Sequence, residues 1–91
     1  MSAERRATVE ILNSKGLHAR AAAKFCKTAH QFDAEVAVAR NGTTVSGGSI
    51  MGLMMLAASQ GTTIEISAAG PDAEAAMAAL CALVANRFDE E

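Results

Sequence analysis

The apolar residues of this 91-residue chain change period again and again, and that alternation restricts its fold more than any other feature. Residues 6–12 alternate loosely, with Val9 and Ile11 on one face, and read as a strand. Residues 19 to about 30 carry Ala22, Phe25, Cys26 and Ala29 as an inward helical stripe, ended by Phe32-Asp33. Residues 34–40 set Val36 and Val38 against Glu35, Ala37 and Ala39, a second strand. Asn41-Gly42 is a two-residue hairpin signal, so residues 43–46 read as a third strand, antiparallel to the second. Gly47-Gly48 breaks it, and Ser49 caps a short helix running to about residue 58, which Gln60-Gly61 stops. Residues 62–67 read as the fourth strand. Gly70-Pro71-Asp72 opens the last helix, with Pro71 tolerated at its first position. Met77, Leu80, Cys81, Val84 and Phe88 give that helix one apolar face.

The order is therefore β-α-β-β-α-β-α. Three amphipathic helices and one small sheet share a core only if the helices cover one face of the sheet. The other face stays wet, which suits antiparallel strands. The expected fold is an α+β two-layer open-faced sandwich: a four-stranded antiparallel sheet covered on one face by three helices, with residues 1–91 as a single domain. A chain this short buries roughly 60–65% of its unfolded surface, enough for one core and one surface site.

Composition removes several classes of function. The chain is 51% hydrophobic, yet no apolar run is long enough to span a bilayer. Residues 1–6 lead straight into a strand without a signal-peptide apolar core, so a cytoplasmic location is expected. A net charge of −2 argues against a nucleic-acid binder. There is no Trp or Tyr, and Phe25, Phe32 and Phe88 form no stacking pattern. Cys26 and Cys81 fit no metal spacing and read as buried free thiols. Neither a metal nor a cofactor is expected.

The chemistry concentrates between the first strand and the first helix. Asn13-Ser14-Lys15-Gly16-Leu17 is a polar turn with one glycine, placed where backbone must come close to something. His18 falls at the turn-to-helix boundary and Arg20 lies in the first helical turn. A helix start presents unpaired N–H groups and the positive end of the macrodipole, an anion site before any side chain is counted. An imidazole there is a nucleophile whose phosphorylated product is an anion in the right place. Arg20 can add a forked grip on phosphate oxygens. Taken alone, His18 would be an exposed turn or cap histidine and Arg20 a solvated charge; together with Gly16 they read as a phosphoryl acceptor and its ligand. His30 sits near a helix C-terminus and reads as structural. Lys24 and Lys27, on successive turns, read as solvated charges that add positive potential for an acidic partner.

In the second helix Ile50, Leu53, Leu56 and Ala57 make the inward stripe at helical spacing. Met51 and Met55, one turn apart, point elsewhere, with Met54 at the boundary. Exposed thioethers adapt to several partners. The expected docking surface comprises Ile50, Met51, Met54, Met55, Lys24 and Lys27.

Two motifs, Gly16-Leu17-His18-Ala19-Arg20 with Asn13 and Ala22, and Gly48-Ser49-Ile50-Met51-Gly52-Leu53-Met54-Met55-Leu56, resemble those of HPr, the histidine-containing phosphocarrier family of the bacterial phosphotransferase system. Both fall where that family has them in the β-α-β-β-α-β-α order. The resemblance implies that His18 takes a phosphoryl group, on Nδ1, from the first enzyme of the system, which draws it from phosphoenolpyruvate. It implies transfer onward to IIA-type acceptors, Arg20 as the arginine partner, and Ser49 as the serine phosphorylated by a dedicated HPr-type kinase/phosphorylase. It implies a monomeric carrier rather than an enzyme in its own right. Two positions depart from the family: Ala21 stands where proline is usual, keeping the helix and adding an N–H, and Gly48 stands where the residue is often basic. With Ala21, the run from Gly48 to Met55 is more similar to the nitrogen-related branch than to the sugar branch.

Two other functions compete. One is a regulatory interaction module that works through residues 49–55 and leaves His18 unused. The other is a small-ligand sensor, for which the sequence offers no convergent polar cluster.

Overall fold

The computed structural model describes residues 4–90. Its elements are β1 (Glu4–Glu10), α1 (Ala19–Ala29), β2 (Glu35–Arg40), β3 (Thr43–Ser46), α2 (Ile50–Met55), β4 (Thr63–Ala69) and α3 (Ala73–Ala85), followed by one 3-10 turn, Arg87–Asp89. The four strands form one sheet in the order β1-β4-β2-β3, antiparallel throughout. This is the β-α-β-β-α-β-α open-faced sandwich that the periodicity predicts.

Alternation decides which sheet face is covered. Ile64, Ile66 and Ala68 of β4 and Val36 and Val38 of β2 are buried, while their neighbours face out. The register brings Val38 opposite Ile66 and Val9 opposite Ile64. Against this layer α1 sets Ala21, Ala22, Phe25, Cys26 and Ala29, and α3 sets Ala73, Ala76, Met77, Leu80 and Val84. Small alanines let α3 lie close on β1 and β4, while α1 lies against α2 and α3. The β2–β3 connection is Asn41-Gly42 with both residues left-handed (φ 52° and 82°), the geometry a two-residue hairpin needs to match strand twist.

Several sequence expectations are corrected. The first strand begins at Glu4 and its regular pairing stops at Glu10, although Ile11 still exchanges backbone bonds with Gly61 and Thr62 at 2.8 Å each. The second helix stops at Met55, with Leu56 as C-cap. Ala57 turns left-handed (φ 52°) there, so it is exposed rather than inward. Ile50, also expected inward, is 43% exposed, because a helix of six residues has room for only Leu53 on its buried side. Pro71 precedes the last helix, whose N-cap is Asp72; the Asp72 carboxylate accepts from the Asp33 amide at 2.7 Å. Cys26 is buried, but Cys81 lies at the border of the α3 stripe and is partly exposed. Phe88 is fully buried without belonging to α3. No helix among the described residues is long and apolar enough to cross a membrane.

Candidate functional site

The β1–α1 turn is built from backbone. The Gly16 amide donates to the Asn13 carbonyl at 3.1 Å, and the Leu17 amide donates to the Ala58 carbonyl at 2.9 Å. Gly16 is left-handed (φ 65°), and a Cβ on it would stand 2.5 Å from that same Ala58 oxygen. The turn thus lies directly on the α2–β4 loop. Asn13 is fully buried beneath it and donates Nδ2 to the Gly16 carbonyl at 2.8 Å.

His18 is the N-cap of α1, in extended conformation (φ −80°, ψ −179°), and its carbonyl accepts the first helical bond from Ala22 at 2.8 Å. Its side chain does not cap the helix, and the first turn of α1 carries no acidic residue. The first N–H groups and the dipole therefore remain available to an anion beside the ring. The imidazole is 25% exposed and lines a cavity of about 230 Å³ with Lys15, Leu17, Ala57, Ala58 and Ser59. Arg20 is exposed and forms no ion pair among the described residues. It lines a neighbouring polar cleft with Ser14, Lys15, Lys24, Asp89 and Glu90.

The partner that sequence reasoning missed comes from the other end of the chain. After α3, residues Arg87, Phe88 and Asp89 are all left-handed (φ 57°, 54° and 62°). Each such non-glycine residue costs about 1–2 kcal/mol, so tertiary contacts must hold the turn. Phe88 is buried in the core, its carbonyl accepts from Lys24 Nζ at 2.7 Å, and Asn86 Nδ2 donates to Asp89 Oδ1 at 2.6 Å. Lys24 is accordingly tied to this turn rather than simply solvated. The turn delivers Glu90 to His18: Oε2 accepts from Nε2, and Oε1 accepts from Asn13 Nδ2 at 3.1 Å. Burial alone would raise the Glu90 carboxyl. The hydrogen bonds from His18 and Asn13 and the charges of His18 and Lys15 outweigh it and hold the group below its ordinary value. An ionised carboxylate only accepts, so its contact assigns the ring proton to Nε2. Among the described residues nothing hydrogen-bonds to Nδ1. The signal for Glu90 was slight: an acidic stretch following Phe88, 72 positions along the chain from its partner.

Ser49 caps α2 as expected, its Oγ accepting from the Gly52 amide at 2.9 Å. Beyond it Met51 and Met55 are 71% and 76% exposed and Met54 41%, so with Ile50 they form an apolar patch. Lys27 is exposed on α1, and His30 is the C-cap of that helix. Burial raises the thiols of both cysteines, which suits inert side chains. No group of three His, Cys, Asp or Glu among the described residues could hold a metal.

A histidine at a helix N-terminus, with arginine beside it, on this sheet order, has clear relatives. Residues 5–86 match the family described as the PTS HPr component phosphorylation site. Phosphocarrier protein HPr of Neisseria meningitidis is 53% identical over 83 residues, 91% of this chain and 93% of its own length. Phosphocarrier protein NPr of Shewanella violacea is 46% identical over 82 residues, 90% of each chain. The crystal structure of HPr-C-His from Thermoanaerobacter tengcongensis superimposes with a TM-score of 0.91 at 44% identity, covering 96% of this chain and 98% of its own. With both its sequence and its architecture in agreement over nearly the whole length, the chain belongs to the HPr family of phosphotransferase-system phosphocarriers.

Proposed function

We infer that this chain accepts a phosphoryl group on His18 from the first enzyme of the phosphoenolpyruvate-dependent phosphotransferase system and passes it to IIA-type acceptors. The observation that carries this reading is the setting of the ring. It stands at the start of an 11-residue helix whose first turn is neither capped by a side chain nor occupied by an acid. A phosphoryl group on it would meet the helix amides and the Arg20 guanidinium. The site is open, and that suits a carrier. Charge-assisted hydrogen bonds are worth about 1.5–3 kcal/mol each, so several buried ones would trap the cargo. Catalysis of each transfer then belongs to the donor and acceptor proteins.

The exposed patch of Ile50, Met51, Met54 and Met55 supports a docking role for α2 and the adjoining face of α1, with Lys27 and Arg20 supplying positive charge. Ser49 at the rim of that patch is the candidate regulatory phosphorylation site. The same patch also favours a second reading, a regulatory module that binds partners through residues 49–55 without using His18. Incubation with phosphoenolpyruvate and the first enzyme, read by intact mass, separates the two. A carrier gains one phosphoryl group. A module that leaves His18 unused stays at its starting mass, which would overturn the carrier reading.

A further inference from the structure

Imidazole has two nitrogens, and phosphoryl transfer to one or the other gives different products. Glu90 touches only one of them. Its Oε2 accepts from Nε2 of His18, and its Oε1 is held by Asn13, a fully buried side chain whose Nδ2 also fastens the Gly16 carbonyl. Three further contacts aim the carboxylate: the buried Phe88 ring, the Lys24 bond to the Phe88 carbonyl, and the Asn86 bond to Asp89. Three consecutive left-handed residues are spent on this turn, which a free tail would not adopt.

We propose that Glu90 is a positioning residue that keeps the ring proton on Nε2 of His18 and thereby makes Nδ1 the nitrogen that takes the phosphoryl group. The proposal rests on the carrier reading of His18 and adds what selects the atom. In the transfer step the Nδ1 lone pair forms the new bond to phosphorus. The bond from phosphorus to the donor's leaving atom breaks, and its electron pair stays on that atom. The Nε2 proton does not move. The ring gains a positive charge, which faces the Glu90 carboxylate.

A phosphoramidate reagent tests this without any partner protein, because it donates a phosphoryl group to histidine directly. The isotopically labelled protein and its Glu90→Ala and Glu90→Gln variants are phosphorylated, and NMR of phosphorus and ring nitrogens resolves the Nδ1 and Nε2 isomers at His18 from any product at His30. Wild type should carry the group on Nδ1. Glu90→Ala should raise the Nε2 share about tenfold or more, the scale of one charge-assisted hydrogen bond. Glu90→Gln keeps an acceptor oxygen and should rise less. The ring-nitrogen shifts of the unphosphorylated proteins should show an Nδ1–H tautomer appearing in Glu90→Ala. An isomer ratio and tautomer identical in wild type and Glu90→Ala would overturn the proposal and reduce Glu90 to a clip for the chain end. If instead the isomers shift as stated but the first enzyme phosphorylates none of the proteins, the carrier reading falls and the positioning role stands.

Discussion

Replacing Gly16 with alanine puts a Cβ where the backbone leaves no room. An ideal Cβ would lie 2.5 Å from the Ala58 carbonyl oxygen and 2.9 Å from Ser59 Cα. Both are main-chain atoms, so no side chain can swing aside. The Ala58 carbonyl is also fixed by the bond it accepts from the Leu17 amide at 2.9 Å. Two costs add. Alanine in left-handed backbone (φ 65°) costs about 1–2 kcal/mol. Forcing two loops apart costs about 1–3 kcal/mol more. The sum, about 2–5 kcal/mol, is a large share of the roughly 5–15 kcal/mol that holds a domain folded. At about 4–8 °C per kcal/mol the melting midpoint should fall by roughly 10 °C or more. Gly42→Ala is the control. Its φ is 82° and nothing lies within 4 Å of its Cβ, so only the conformational cost applies, about 1–2 kcal/mol. Urea unfolding followed by circular dichroism measures all three proteins. A Gly16→Ala loss no larger than that of Gly42→Ala would refute the idea that contact with the Ala58 carbonyl sets the turn.

Four more outcomes follow from the same structure. Met51→Glu should slow transfer from the first enzyme while leaving the thermal midpoint nearly unchanged, because Met51 is 71% exposed; a large fall in midpoint would make it a core residue. Ser49→Ala should cost about 0.5–2 kcal/mol through loss of the bond from the Gly52 amide. Ser49→Asp should keep the cap and slow His18 phosphorylation, less so at high salt, and an unchanged low-salt rate would remove Ser49 from regulation. The Glu90 carboxyl lies below its ordinary value in the folded protein. Its contribution to stability is therefore present above that ordinary value and lost as pH falls through the folded one. The carbon shift of the Glu90 carboxyl against pH should give a higher midpoint in His18→Ala than in wild type, and equal midpoints would refute the coupling.

Where local chemistry leaves one solution, the chain could be read directly. Asn41-Gly42 can serve as a hairpin because both residues tolerate left-handed backbone, and β2 and β3 followed from it. The start of α1 was legible because a glycine turn, a histidine and an alanine-rich stripe coincide there. The end of α2 was not. It stops at a left-handed alanine, Ala57, rather than at Gly61, and no local residue preference marks that position. Phe88 fits the apolar period of α3 and is indeed buried, but it reaches the core through a turn that helical periodicity cannot anticipate. For the same reason the site was read only in half. His18 and Arg20 are sequence neighbours, whereas Asn13, Lys24 and Glu90 meet only through the closed fold.

The residue that carries the phosphoryl group is open to the most direct test. Wild type and His18→Ala, incubated with phosphoenolpyruvate and the first enzyme, should differ completely. Wild type should acquire one phosphoryl group that is lost in acid, kept in base, and discharged when a IIA-type acceptor is added. His18→Ala should acquire none. An adduct on His18→Ala under the same conditions, or an acid-stable adduct on wild type, would contradict the assignment of His18 as the acceptor.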